Sequence, residues 1–249
     1  MTDSPCFIRK IGFDIETTGH NPFKNKLAAI GVAIVDHDVE GNPVITDTKS
    51  WRVGPPPELP VETDGVWDYK DFSKSCWEFW SHPDQKETLT WLVGDPEDES
   101  RNPEKVAKEL RKYLDDAMLT APHGSKLITD NPTFDGGWLD QFLCSLETDP
   151  VISDGSTKLA RIQHTISFSI PNEKGVQKYI GSPFDISVVL KLKKLGLLTK
   201  DWDPEENPCP LKYNHRPDND AANIAWGCAL ADKCLHLFDP AKSYCPMRK

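Results

Sequence analysis

The side chains best suited to chemistry in this 249-residue sequence are a few carboxylates and one imidazole, spread over three segments. Asp14 and Glu16 lie in IGFDIETTG, Asp135 lies in TDNPTFDGGWLD, and His215 and Asp220 lie in HRPDNDAANIAW. Carboxylate oxygens are ligands that Mg²⁺ and Mn²⁺ prefer, and an imidazole can take a proton from water near neutral pH. If the fold brings the three segments together, they form a two-metal site with a histidine beside it.

The first segment has the period-two pattern of a buried strand. Phe13 and Ile15 fall on one face, whereas Asp14 and Glu16 fall on the other. Alpha carbons two residues apart on a strand are roughly 6.5 Å apart, so both carboxylates can reach one site. Neighbouring anions in a half-buried place repel each other and resist desolvation, so they need a cation, a shared proton or solvent. A divalent metal ion is the partner we expect.

The second segment places a third carboxylate on a helix. An amphipathic run over 134–147 follows a short apolar strand and a turn. Helical spacing puts Asp135 on the face of Leu139 and Phe142, which must pack on the sheet. Asp135 is therefore predicted to point inward, and Asp130 is interpreted as a turn or cap residue.

The third segment is a loop that leads into a helix over 221–238. Asp218 fits the N-cap of this helix and Asp220 fits its first turn. Both lie on apolar stripes of the helix, so periodicity alone does not select between them. His215 lies on the preceding loop, from which its imidazole can reach a site and take a proton from water.

These motifs, in this order, resemble those of the proofreading-type 3′-to-5′ exonuclease superfamily, in the DEDDh subgroup named after four acidic residues and a histidine. The H-x-x-x-x-D spacing of its third motif selects Asp220 over Asp218. A stretch containing Trp80 is similar to the Glu-Trp-Trp element of a branch that includes a phage exonuclease and bacterial exoribonuclease-like proteins. The residues that match the subgroup motifs are Asp14 and Glu16 for D-x-E, followed by Thr17, Thr18 and Gly19; Asn131, Phe134 and Asp135 for the aromatic-Asp pair; and His215 and Asp220.

The resemblance implies an α/β fold of the RNase H-like exonuclease type, with a mixed central β-sheet and flanking helices. It also implies a two-metal exonuclease that uses Mg²⁺ or Mn²⁺ to release mononucleotides from single-stranded DNA or RNA 3′ ends. Asp14 would bridge both ions, Glu16 and Asp220 would hold the first, Asp135 would act on the second largely through water, and His215 would be the general base. The alternative is an inactive or weakly active nucleic-acid-binding or polymerase-associated module on the same fold.

Four of the candidate substrate contacts have a structural alternative. Thr17 and Thr18 could hydrogen-bond a terminal 3′-hydroxyl, or they could only form a turn. Phe23 could stack on a terminal base or seal the edge of the sheet, and Trp80 could be a base platform or a core residue. The complete candidate set is Thr17, Thr18, Phe23, Trp80, Asn131 and Phe134.

Composition limits the binding mode and the compartment. The formal net charge is −10, so we expect weak, transient nucleic-acid binding that depends on metal ions and on local basic residues such as those at 191–200, although a solvated helix face also explains that cluster. The seven dispersed cysteines form no Cys-x-x-Cys pair, which predicts an intracellular, reducing compartment. No apolar run is long enough to span a membrane. A homodimer is compatible with the resemblance.

The sequence predicts a single exonuclease domain over residues 1–249, with insertions near 54–70 and 148–183. The first insertion is interpreted as a surface loop and the second as containing a hairpin. The expected strands are 7–15, 27–36, 43–53 and 126–129, and the expected helices are 72–92, 103–118, 134–147, 185–195 and 221–238.

Overall fold

The computed structural model describes residues 7–94, 98–131, 134–146, 168–171, 177–181 and 209–238, and these form a mixed α/β structure. The strands are β1 (Arg9–Thr17), β2 (Leu27–His37), β3 (Pro43–Arg52), β4 (Val61–Thr63), β5 (Val66–Asp68), β6 (Ser125–Ile128), β7 (Phe168–Pro171) and β8 (Gln177–Gly181). The helices are α1 (Lys74–Trp80), α2 (Lys86–Val93), α3 (Pro103–Leu119), α4 (Asp135–Ser145) and α5 (Pro217–Phe238), with 3-10 turns at Pro83–Gln85 and Glu99–Arg101.

The central sheet has the strand order β3-β2-β1-β6. The first three strands form an antiparallel meander, and β6 pairs with β1 in parallel. Helices flank this mixed sheet, so the predicted α/β class with a mixed central sheet is confirmed. The carboxyl ends of β1 and β6 lie at the same edge because these two strands run in the same direction.

Both faces of β1 are buried. Ile11, Phe13 and Ile15 belong to the main apolar core, which α3 and α4 complete with side chains such as Leu110 and Leu139. On the other face, α5 packs across β1 and β2 through small side chains. Ala221 and Ala222 contact Ala33, and Ala225 and Ala229 contact Val35. The carboxylates of β1 therefore lie on a face that a helix covers.

Two glycines allow α5 to approach the sheet closely. A Cβ built on Gly12 would lie 2.1 Å from the Ala221 carbonyl oxygen, and one built on Gly31 would lie 2.0 Å from the Pro217 carbonyl carbon. Gly31 pairs directly with Asp14 in the β1–β2 register. The first turn of α5 therefore lies against the sheet beside the β1 carboxylates, where a larger side chain would displace it.

The helix predicted over 72–92 is wrong as a single element. Ser73 caps α1 by accepting a hydrogen bond from the Cys76 N–H, and α1 ends at Trp80. A 3-10 turn that starts at Pro83 then leads into α2. Proline lacks the N–H that a continuous helix would need and clashes with the preceding turn, so Pro83 explains the break.

The segment 54–70, interpreted as a surface loop, contains the exposed hairpin β4–β5. Its turn is Asp64-Gly65, with φ values of 51° and 79°. Positive φ at both central residues is what a type I′ hairpin turn requires, and Asp-Gly is one of its preferred sequences. The local signal for this hairpin was therefore present in the sequence.

The hairpin expected within 148–183 is present as the antiparallel pair β7–β8. Its expected turn at 172–175 and the helix expected over 185–195 lie outside the described residues. The single-domain organisation stays a prediction. Among the helices that the structure describes, none combines the length and the apolar character needed to cross a bilayer.

We expect Gly31→Ala to destabilise the protein because its new methyl group would meet the backbone of Pro217. Overpacking of this kind typically costs about 1–3 kcal/mol of unfolding free energy. Gly227→Ala is the matched control, since Gly227 lies within α5 and a Cβ there meets nothing within 4 Å. The control should keep or raise stability by up to about 1 kcal/mol. Urea unfolding of both variants checks this, and equal stabilities would refute the close docking of α5.

Candidate metal centre

The predicted acidic residues and histidine converge at one end of the sheet in two groups. Ligand atoms of Glu16, His215 and Asp220 lie within 4.8 Å of one another. Ligand atoms of Asp14, Asp130 and Asp135 form a second group with the same spacing. Asp14 and Glu16 are two residues apart on β1, so this strand contributes one carboxylate to each group.

The first group joins β1 to the start of α5. Glu16 and Asp220 are buried, with 8% and 1% of their surfaces exposed. The Asn214 N–H donates a hydrogen bond to Asp220 Oδ1 at 3.2 Å. His215 Nδ1 lies 3.7 Å from Asp220 Oδ2. The loop before α5 therefore wraps around the Asp220 carboxylate and fixes its direction.

The second group joins β1 to β6 and α4. Asp135 is buried at the first turn of α4, on the same face as Leu139 and Phe142, as helical spacing predicted. The Thr129 hydroxyl donates a hydrogen bond to Asp135 Oδ2. Asp14 is half-buried and Asp130 is exposed, so this group opens toward solvent.

Burial and mutual repulsion make the carboxylates reluctant to ionise. Burial raises the pKa of Asp14 and of Glu16 well above their usual values, and the neighbouring carboxylates raise both further. Burial also raises the pKa of Asp135 and of Asp220 to about 7 in each case. Converging oxygen donors that repel one another are the donor set that a divalent cation neutralises. The residues of both groups therefore fit Mg²⁺ or Mn²⁺.

The His215 backbone is in the left-handed region, with φ 58°. Its ring lies edge-on to Phe79 at 4.8 Å and to Tyr213 at 5.2 Å between centroids. Burial lowers the pKa of His215, which favours the neutral imidazole. The ring is thus held at the edge of the first group in a form that can accept a proton or bind a metal ion.

Helix α5 starts at Pro217, so the assignment of Asp218 to its N-cap is wrong. Asp218 lies inside the first turn, where Oδ1 is 3.5 Å from Arg216 Nε. Asp220 is the residue that lies beside Glu16. Periodicity alone could not decide between Asp218 and Asp220. The H-x-x-x-x-D spacing favours Asp220, which is the aspartate that the fold places beside Glu16 and His215.

The hydroxyls of Thr17 and Thr18 are used within the turn after β1. Thr17 Oγ1 donates to the Gly19 carbonyl at 3.0 Å, and Thr18 Oγ1 accepts from the Lys26 N–H at 2.8 Å. Both residues are buried. This geometry favours the turn-forming alternative for both side chains.

The two aromatic candidates have opposite environments. Trp80 is 2% exposed and donates from Nε1 to the Thr17 carbonyl at 3.2 Å, so it is a core residue that fixes the turn after Glu16. It cannot be a base platform while it is buried in this way. Phe23 is 90% exposed, which excludes the sheet-edge seal and leaves its ring free to stack.

Asn131 and Phe134 start α4. The Phe134 N–H approaches both the Asn131 carbonyl, at 3.0 Å, and its Oδ1, at 3.3 Å. The Asp135 N–H donates to the same carbonyl at 2.9 Å. Phe134 also packs edge-on against His20. These contacts of Asn131 and Phe134 set the direction of α4, the helix that carries Asp135.

Sequence reasoning missed three residues of this centre. Asp130 was assigned to the turn, although it lies among the acidic ligands. Phe79 and Tyr213 were not expected beside His215. Asp130 could have been found from its place two residues after the end of β6, because the carboxyl ends of adjacent parallel strands lie at the same edge of a sheet. The aromatic contacts have no sequence signal, since α1 and the loop before α5 are far apart along the chain.

Neither a protein-family model nor a curated protein sequence matches this chain. Among solved structures, it is similar to a metal-free Escherichia coli ExoI–ssDNA complex, with 13% identity, TM-score 0.42, and coverage of 94% of this chain and 41% of that one. The chain thus spans about two fifths of that protein. It is also similar to a full-length 3′-exonuclease, with 17% identity, TM-score 0.40, and coverage of 93% and 84%.

The metal-free protein should lose stability as pH rises from 5 to 8. A carboxyl group whose pKa is higher in the folded than in the unfolded state stabilises the fold at low pH, and this stability is lost as pH rises through the folded value. For Asp135 and Asp220 that value is about 7. The pKa of His215 is lowered, so this group alone would make stability rise with pH. Its effect is outweighed because four carboxylates act in the other direction. We expect the melting temperature in EDTA to fall across this range and Mg²⁺ to restore it most at pH 8.

Asp14→Ala should weaken this pH dependence and should melt no lower than the parent in EDTA at pH 8, because it removes one member of the repelling set. Asp115→Ala, on the exposed surface of α3, is the control and should leave the pH dependence unchanged. A stability that rises over this range in EDTA would contradict the electrostatic account of the site.

Proposed function

We propose that this protein is a metal-dependent 3′-to-5′ exonuclease that hydrolyses phosphodiester bonds at single-stranded 3′ ends and releases mononucleotides. The observation that supports this most strongly is the convergence of separate chain segments into two adjacent groups of acidic ligands beside one histidine. Asp14 and Glu16 join the groups through a single strand. Two divalent ions held by these groups would suit in-line displacement at a phosphate, which a pair of neighbouring metal ions supports.

The side chains divide the work according to their positions. Glu16 and Asp220 would hold one ion, and Asp135 would hold the other together with Asp14, which belongs to the same group. When bound, the two metal ions would lower the pKa of the attacking water and stabilise the leaving oxygen. Because Asp135 and Asp220 are buried and each accepts a hydrogen bond from a neighbouring residue, they would not need to reorganise when substrate arrives.

His215 would accept the proton of the attacking water. Burial keeps its pKa low, so the neutral ring is available near neutral pH. Phe79 and Tyr213 contact the ring on its sides, and Nδ1 lies near Asp220. A carboxylate beside one ring nitrogen orients an imidazole and stabilises the cation that forms when it takes a proton.

Phe23 would stack against a base at the 3′ end. It is the most exposed of the candidate substrate residues, and it lies in the turn that follows Thr17 and Thr18. Base stacking is worth about 1–3 kcal/mol per base and tolerates any base, but it needs an unpaired base with a free face. This supports single-stranded ends as substrate, and both DNA and RNA meet the requirement.

The direct test is incubation with 5′-labelled single-stranded DNA and RNA of equal sequence, in Mg²⁺, in Mn²⁺ and in EDTA. We expect a ladder that shortens from the 3′ end, release of mononucleotides, and no reaction in EDTA. A 3′-terminal phosphate should slow the first cut if the free 3′-hydroxyl is recognised. Binding of either strand without metal-dependent shortening would instead identify a nucleic-acid-binding module.

Asp220→Asn should abolish turnover because it removes a buried charged ligand of the first group. Asp218→Asn should keep most of the activity, since Asp218 lies outside both groups. Initial rates at saturating Mn²⁺, with circular dichroism to check folding, separate the two variants. The opposite pattern would show that the third motif is assigned to the wrong aspartate.

His215→Ala should lose about 10²–10⁴-fold in single-turnover rate, the usual contribution of a general base, while metal affinity and substrate affinity are kept. Calorimetry of metal binding and rapid-mixing kinetics on the same preparation measure these quantities. In the parent, the rate should fall as pH drops and the imidazole is protonated. Loss of metal affinity in the variant would show that His215 is a metal ligand, and an unchanged rate would show that it has no part in proton transfer.

A further inference from the structure

We propose that Asp130 is a metal ligand of the second group, so that the site uses five carboxylates. This inference rests on the proposed function in one respect only, which is that the groups hold divalent cations. The D-x-E, aromatic-Asp and H-x-x-x-x-D motifs do not include this residue. It extends the position formed by Asp14 and Asp135 on its solvent side.

The sheet register places Asp130 beside Asp14. Gly12 pairs with Ile128 in the parallel β1–β6 ladder. Asp14 lies two residues after Gly12, and Asp130 lies two residues after Ile128. Adjacent parallel strands keep such positions close as the chains leave the sheet edge. Ligand atoms of Asp14, Asp130 and Asp135 accordingly lie within 4.8 Å of one another.

Other residues perform the turn-forming role that sequence analysis gave to Asp130. The Asn131 carbonyl accepts from the Phe134 and Asp135 N–H groups, and Asn131 Oδ1 lies 3.3 Å from the Phe134 nitrogen. The Thr129 hydroxyl lies 3.4 Å from the Asn131 nitrogen and donates to Asp135. These contacts start α4 and hold Asp135 without the Asp130 carboxylate.

Asp130 approaches the oxygen atoms of Asp14 and Asp135 from the solvent side of the second group. Asp130 is itself exposed, in contrast to the buried Asp135. Three carboxylates whose oxygen atoms lie within 4.8 Å of one another repel unless a cation lies between them. With a cation bound, Asp130 would supply a third oxygen donor from the open side.

A third carboxylate should let the second position retain its ion before substrate arrives. Mg²⁺ and Mn²⁺ bind oxygen donors, and each added anionic donor raises the affinity of a site for a divalent ion. A position with fewer carboxylates depends more on phosphate oxygens of the substrate to complete its ligand set. With Asp130 as a ligand, this position would therefore bind its ion without needing the phosphate oxygens of the substrate.

The test is calorimetric titration of the substrate-free protein with Mn²⁺ and with Mg²⁺, comparing the parent with Asp130→Asn and Asp130→Ser. Both replacements suit a turn and remove the charge, so folding should be preserved. Loss of an outer-shell partner alone typically costs 10–100-fold in metal affinity, so we expect one of two bound ions to weaken by at least about tenfold. Asp115→Asn, an exposed charge-matched control on α3, should bind as the parent does.

Rates measured against metal concentration give a second readout. The Asp130 variants should need at least about tenfold more metal for half-maximal cleavage than the parent and Asp115→Asn need. Unchanged isotherms for both ions in both folded variants would overturn the role of Asp130 and leave the exonuclease proposal standing. If the Asp130 variants bind metal more weakly but the parent cleaves neither DNA nor RNA, the exonuclease proposal would be overturned and the role of Asp130 would stand. A parent that binds neither Mn²⁺ nor Mg²⁺ would overturn both proposals.

Discussion

The central constraint on this structure is the electrostatic cost of gathering carboxylates at one end of a buried strand. Asp14 and Glu16 lie on a β1 face that α5 covers, and Asp135 and Asp220 join them from two helices. Each group loses hydration and meets like charges, so the pKa of every one of the four is raised. The rest of the fold supplies the apolar packing that holds the groups together in spite of this repulsion.

That packing is asymmetric across the sheet. On one face, large side chains such as Phe13, Trp138 and Leu139 build the main core with α3 and α4. On the other face, glycine and alanine residues let α5 lie close to β1 and β2. The large core contains most of the buried apolar side chains. The face of small residues sets the distance between α5 and the sheet. The two groups of acidic side chains lie beside the start of α5, at this closely packed face.

Sequence patterns predicted the elements and most of the site because their signals are local. Period-two alternation identified β1, and helical spacing oriented Asp135 inward. Errors arose where tertiary contacts decide the role of a side chain. From sequence, Trp80 could be either a base platform or a core residue. Its burial and its hydrogen bond to the Thr17 carbonyl show that it belongs to the core. Asp130 was assigned to a turn because its proximity to Asp14 depends on the β1–β6 ladder, which local sequence does not encode.

The order of the segments along the chain also bears on how the site is assembled. β1 must pair with β6 and then receive α5, and each of these partners is distant from it in sequence. Contacts of this kind close large loops and form slowly relative to local ones, so the β1–β3 meander is expected to precede them. A chain that has formed only this meander presents Asp14 and Glu16 without Asp135 and Asp220, so it offers a divalent ion only part of each group. The cation binding proposed above would therefore need α5 to be docked, and it would stabilise the fold only once the topology is complete.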